Sequence, residues 1–219
     1  MKLKDYISND YKALDLGTSL DKVKDFFKDL PFTHFPIVEN GKLLGMLAQA
    51  DFIQYGNGEV SLHELQYIFK FYKTDIPDSC IDLIRLFAQF DTDILPITND
   101  KNEYLGYFEL DEILRLFYNS PFFKQASTTL VIGKDKSKYS MGEIAQIIES
   151  NNIELLGMYI SNITDKHTQI TLRIDTENVN DVIQSLRRYN YEVVSQSKDD
   201  LLMEQLKHRS EYLDKYLNI

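Results

Sequence analysis

Cysteine is all but absent. Cys80 is the only one in 219 residues, so no disulfide can form within the chain, and the composition fits a reducing compartment. Basic side chains are in the minority, 24 against 34 acidic, leaving a formal charge of −10 that argues against a nucleic-acid surface. The deficit is uneven: residues 1–120 carry 12 basic and 20 acidic groups, and residues 121–219 carry 12 and 14. A polyphosphate would therefore meet a repulsive field in the first half. No apolar run approaches the roughly 18 residues of a membrane span, and Met1-Lys2-Leu3-Lys4-Asp5-Tyr6 lacks the apolar core of a signal segment. The expectation is a soluble cytoplasmic protein with no membrane or nucleic-acid partner.

Patterns of catalysis are also missing. His34, His63, His167 and His208 are scattered, and His63-Glu64 is not followed by the second histidine of a zinc helix. Gly56-Asn57-Gly58 lacks the third glycine of a dinucleotide loop, and no Gly-Lys-Ser/Thr phosphate loop occurs. Cys80 falls on an apolar helix stripe, where it reads as buried filler rather than a nucleophile. No catalytic residue, metal or cofactor is expected. What is present is apolar material, 43% of the chain, enough for one large domain or two to three small ones.

That material is organised by a repeat. Shifting the sequence by 60 places Leu20, Val23, Phe26, Phe27 and Leu30 on Cys80, Leu83, Leu86, Phe87 and Phe90, the stripe of one helix. The same shift lands Phe35-Pro36-Ile37 on Leu95-Pro96-Ile97, and Asp51 on Asp111. Between them, Leu43-Leu44-Gly45-Met46-Leu47 resembles Tyr104-Leu105-Gly106-Tyr107-Phe108. Stripe, proline, glycine and acid in one order make duplication the better reading. Each copy predicts a short strand, a helix, two strands and a helix. In the first, Ser19 or Asp21 opens a helix running to about Leu30, and strands near His34–Val38 and Lys42–Ala48 flank an Asn40-Gly41 turn. In the second, Thr98–Asn102 forms the turn. Gly56-Asn57-Gly58 reads as a linker, and Ser61–Phe69 predicts a helix leading into copy two.

The prolines Pro36 and Pro96, glycines Gly45 and Gly106, and acids Asp51 and Asp111 make residues 1–120 resemble a tandem pair of CBS domains, named after cystathionine β-synthase. The resemblance implies two βαββα halves, 1–58 and 59–122, about a pseudo-two-fold axis, with clefts for adenosine nucleotides (AMP, ADP or ATP) and a tendency to dimerise. It implies a ligand-facing role for His34, Pro36, Ile37, Asp51, Pro96, Ile97 and Asp111, the acids holding the ribose hydroxyls and a hydroxyl three residues earlier holding phosphate. A carboxylate accepts only and can take two O–H donors. Here Ala48 occupies the hydroxyl position of the first copy, and Glu109 its neighbourhood in the second, so Asp51 is the preferred ribose ligand. The alternative for both acids is an N-cap, since each precedes an apolar helix.

From about residue 126 the pattern changes. Thr128–Ile132, Leu155–Ile163, Gln169–Ile174 and Tyr191–Val194 read as strands. Ser140 to Asn152 carries a helix stripe of Ile144, Ile147 and Ile148, and Asn180 caps another with Val182, Ile183 and Leu186. The order β-α-β-β-α-β over 126–197 is the ferredoxin-like pattern. Gly142-Glu143-Ile144 with Asn152-Ile153 resembles the ACT domain, implying ligand contacts at Gly142 and Asn152. Residues 198–219 predict a helical tail stepping through Leu202, Leu206, Arg209, Leu213 and Tyr216. Two CBS copies followed by an ACT-like unit resemble the acetoin-utilisation protein B type of bacterial regulator. The expectation is an α/β, non-enzymatic, homodimeric sensor of a small molecule, or a scaffold whose nucleotide clefts have decayed, or an amino-acid sensor acting through the ACT-like unit.

Overall fold

The computed structural model describes residues 2–53, 55, 60–176 and 179–194. The linker glycines Gly56 and Gly58, His208 and the tail at 198–219 lie outside the described residues. The chain divides into two compact units, with the boundary between Ser120 and Pro121.

In the first unit the repeat is visible element by element. Helix α1 (Leu20–Asp29), strands β1 (His34–Glu39) and β2 (Lys42–Ala48) and helix α2 (Gln49–Phe52) are followed, after a connecting segment, by α3 (Cys80–Phe90), β3 (Ile94–Thr98), β4 (Tyr104–Glu109) and α4 (Leu110–Tyr118). The stripes bury as expected: Leu20, Val23 and Phe27 in α1, and Leu83 and Phe87 in α3, join one core with β1 to β4. Cys80 is half-buried against that core. The β1–β2 turn uses Asn40 and Gly41, both at positive φ, as its Asn-Gly chemistry demands.

The initial short strand of each copy shrinks to a single parallel bridge, Leu14 to Ile37 and Thr74 to Ile97, positions again 60 apart. At their other edges the hairpins are completed by the opposite copy. Met46 of β2 bridges Lys70, and Tyr107 of β4 bridges Ser8. Each copy thus supplies the edge of the other's sheet, which ties the two into one unit.

Three local expectations are corrected. Ser61–Phe69 is not an α-helix but a set of turns with a 3-10 segment at Gln66–Ile68. The reason is tertiary: the Leu62 and His63 N–H groups donate to the carbonyls of Thr18 and Leu16, while Val60 accepts from Leu20. Those bonds hold 60–63 in a bridge rather than a helical turn. Asp51 and Asp111 are not N-caps either. They lie inside the first turns of α2 and α4, and the cap positions are Ala48 and Glu109, neither of which makes a side-chain cap bond. In the second unit Asn180 is likewise the first helical residue, after the cap Val179.

The second unit runs α5 (Pro121–Lys124), β5 (Thr128–Asp135), α6 (Met141–Ser150), β6 (Glu154–Ile163), β7 (His167–Asp175), α7 (Asn180–Arg188) and β8 (Glu192–Val193). Its antiparallel sheet has the order β6-β7-β5-β8, the ferredoxin-like arrangement. Leu130 and Ile132 of β5 and Ile170, Leu172 and Ile174 of β7 pack with Ile144, Ile147 and Ile148 of α6 and Val182, Ile183 and Leu186 of α7 in a second core. Ser140 caps α6 by accepting the Glu143 N–H. No helix among the described residues is long and apolar enough to cross a membrane.

Candidate functional site

The repeat brings positions 60 apart face to face near the axis between the copies. Thr33 precedes β1 and Asp93 precedes β3. Asp93 Oδ2 accepts the Thr33 N–H at 2.6 Å and the Thr33 hydroxyl at 3.0 Å. The backbone there is also matched: the Thr33 carbonyl accepts the N–H of Gln49 at the start of α2, and the Asp93 carbonyl accepts that of Leu110 at the start of α4. These bonds join the entry of each β1-type strand to the beginning of the helix that follows the hairpin.

Around this junction the first copy collects ionisable groups. His34, pairing with Ala48 across the β1–β2 ladder, places Nδ1 2.9 Å from Thr33 Oγ1 and 4.0 Å from Asp93 Oδ1. Burial holds the imidazole below its ordinary pKa of 6.5; the Asp93 carboxylate opposes that shift, Lys70 adds to it, and Asp51 opposes it more weakly. His34 is therefore a neutral imidazole at pH 7. Asp51 lies half-buried, its Oδ2 3.3 Å from Lys70 Nζ. Lys70 is positioned by its own backbone, whose N–H donates to the Met46 carbonyl at 3.0 Å and whose carbonyl accepts the Met46 N–H at 2.8 Å.

The second copy differs chemically. Ile94 stands where the first has His34, and Ser8 bridges Tyr107 where Lys70 bridges Met46. Asp111 is exposed and makes no hydrogen bond or ion pair with a described residue.

The structure thus groups His34 and Asp51. Pro36, Ile37, Pro96 and Ile97 are buried, and the isoleucine side chains belong to the first core. Their neighbouring carbonyls are engaged as well, Pro36 accepting from Leu14 and Pro96 from Thr74. Thr33, Lys70 and Asp93 were absent from the sequence-derived set. The shift of 60 held a signal for one pair, since equivalent positions beside an axis must meet. Lys70 carried none.

In the second unit Gly142 and Asn152 lie at opposite ends of α6. Gly142 sits in the first turn of α6, and Asn152 follows its last, with a positive φ of 55°. A ten-residue helix separates them by about 15 Å. The cavity between α6 and α7, of about 480 Å³, is instead lined by Glu143, Gln146, Asn151, Ser185, Arg188 and Tyr189, among others. At its rim Glu143 accepts from Lys134 and from the Tyr191 hydroxyl, each at 2.8 Å, while the ammonium lies 4.0 Å from the Tyr191 ring centroid. That cluster clamps β5, α6 and the end of α7 together. No group of three or more metal-ligating side chains occurs among the described residues.

No curated protein matches the chain. Among solved structures, the cytosolic domain of the Mg²⁺ channel MgtE in complex with ATP is 20% identical, with 52% of this chain and 48% of that one covered and a TM-score of 0.44. This chain therefore spans about half of that domain's length. A CBS domain pair/ACT domain protein from Thermotoga maritima is 13% identical over 53% of this chain and 96% of its own, with a TM-score of 0.47. CBSX2 in complex with AMP is 14% identical over 53% and 95%, with a TM-score of 0.44. The family model of the CBS domain matches residues 3–58, the span of the first copy.

Proposed function

We propose that both copies are CBS domains, that they form one regulatory pair, and that the first copy's cleft senses an adenosine nucleotide. The observation that carries this reading is the placement of Asp51. Its carboxylate stands half-buried at the turn from β2 into α2, 3.3 Å from Lys70 Nζ of the other copy and near enough to His34 to act on its imidazole. An acceptor-only carboxylate there suits the paired hydroxyls of a ribose. A ligand at that point would touch both copies and bias the angle between them, a population shift with no chemical step. The protein is on this reading a non-enzymatic cytoplasmic regulator acting as a homodimer. Its ferredoxin-like second unit serves as an ACT-like sensor or dimerisation surface, as in the acetoin-utilisation protein B type.

A second reading, a scaffold with decayed clefts, is favoured by Ala48, which lacks the phosphate-binding hydroxyl, and by Glu109 at the matching place in copy two. A thermal-shift screen of the full chain with AMP, ADP, ATP, S-adenosylmethionine and amino acids separates them. A true ligand at a hundredfold excess over its Kd stabilises by about 2.7 kcal/mol, and Asp51→Ala abolishes the shift. Flat melting curves at millimolar nucleotide select the scaffold.

A further inference from the structure

The two copies differ at the residue each borrows for its sheet edge, Lys70 against Ser8. In both, a glycine admits that residue. A Cβ on Gly45 would lie 3.0 Å from Phe69 Cβ and 3.3 Å from the Lys70 carbonyl oxygen, so the close approach of segment 69–70 to β2 uses the missing side chain. In the second copy Gly106 admits Ser8 in the same way. The outcome is a cation beside the acid of copy one and none in the equivalent place of copy two.

Resting on the assignment of the first cleft as a nucleotide site, we propose that Lys70 selects for the ligand's phosphate, and that its ion pair with Asp51 is the resting contact a nucleotide exchanges. The complementarity is one of donors and acceptors. Asp51 only accepts and Lys70 only donates. A nucleotide brings hydroxyl donors for the first and phosphate oxygens for the second, so both partners of the internal pair are satisfied when it opens. An uncharged nucleoside satisfies the carboxylate but leaves the ammonium to solvent.

The layering fits this order, since the Asp51 side chain is 30% exposed and that of Lys70 is 55% exposed: ribose inside, phosphate outside. Lys70 can follow the phosphate. Its backbone is pinned to Met46 through both N–H and carbonyl, while its side chain makes no other hydrogen bond or ion pair with a described residue. It also supplies what Ala48 cannot, a phosphate donor within a repeat pair carrying 20 acidic against 12 basic groups.

The test is isothermal titration of the full chain with adenosine, AMP and ATP, comparing wild type with Lys70→Gln and Lys70→Arg. Loss of one charge-assisted contact predicts that wild type binds AMP about tenfold to a hundredfold more tightly than adenosine. Lys70→Gln brings AMP to the adenosine level or below it and removes the weakening of AMP binding by added salt, and Lys70→Arg keeps the preference. Circular dichroism checks that each variant is folded. If Lys70→Gln retains the wild-type ratio of AMP to adenosine affinity, the role of Lys70 is overturned while the nucleotide site stands. If wild type binds none of the three, both fall together.

Discussion

Replacing Gly106 by alanine tests the edge exchange that makes the two copies one unit. Gly106 has φ 137°, a conformation L-residues rarely adopt, and its added Cβ would sit 2.6 Å from both Ile7 Cγ2 and the Ser8 carbonyl oxygen. One of those neighbours is backbone that cannot rotate aside. Segment 7–9 must therefore withdraw, and with it go the paired bonds between Ser8 and Tyr107, at 2.9 and 3.0 Å, and the Asn9 side-chain bond to the Leu105 carbonyl at 2.9 Å. Backbone strain of this kind costs about 1–3 kcal/mol, and each lost hydrogen bond about 1 kcal/mol. The expected loss is about 4–6 kcal/mol, a large part of a domain's typical 5–15 kcal/mol. The melting temperature should fall by on the order of 10 °C. Because the chain contains no tryptophan, far-UV circular dichroism is the appropriate probe, with urea unfolding alongside. Gly45→Ala is the internal control. Its φ is unexceptional, and its added Cβ would meet the Phe69 Cβ at 3.0 Å and the Lys70 carbonyl at 3.3 Å, contacts relieved by a shift of a few tenths of an ångström, so it should cost clearly less than Gly106→Ala. The reasoning is refuted if Gly106→Ala melts together with Gly45→Ala.

Two further predictions concern ionisation. In the second unit, burial pulls the Lys134 ammonium down, but its hydrogen bond to Glu143 and the nearby Tyr191 outweigh that and leave it above its ordinary 10.5; the Lys134 and Tyr191 hydrogen bonds hold Glu143 below its ordinary 4.5. A depressed acid stabilises above its unfolded value and a raised base below its own, so the pair contributes fully between these two values. The difference in urea midpoint between wild type and Lys134→Met should be flat across that window, shrinking as pH falls below 4.5 or rises above 10.5; a difference that grows in acid contradicts the pairing. In the first unit, burial lowers His34 against the opposing pull of Asp93. By NMR, His34 should titrate below 6.5, and Asp93→Asn should push it lower still; titration at or above 6.5 would refute the dominance of burial at this ring. Because the folded state binds this proton less readily than the unfolded chain, the His34 contribution is lost as pH falls from 6.5 through the folded value.

Much of the architecture was legible because its signals are local. The spacing of Leu20, Val23 and Phe27 defines a helix face whatever it packs on, and the α3 stripe does likewise. Asn40-Gly41 carries its turn within two residues, and Ser140 caps α6 through its own third neighbour. The alternation of Ile170, Leu172 and Ile174 places all three in the second core. The failures arose where distant backbone overrode local preference. Ser61–Phe69 has a helical pattern but spends its Leu62 and His63 N–H groups on residues 18 and 16.

The candidate site divides along the same line. Sequence alone established a duplicated unit, the two acids after the glycines, and the loss of a hydroxyl at Ala48, because composition and periodicity need no partner. Only the fold decided that Asp51 would meet Lys70, that Thr33 would bond to its own repeat-mate Asp93, and that Asp111 would have no such cation. Those meetings depend on each copy lending an edge to the other. A contact across that exchange is set by how two sheets close on each other, and no window of neighbouring residues contains it.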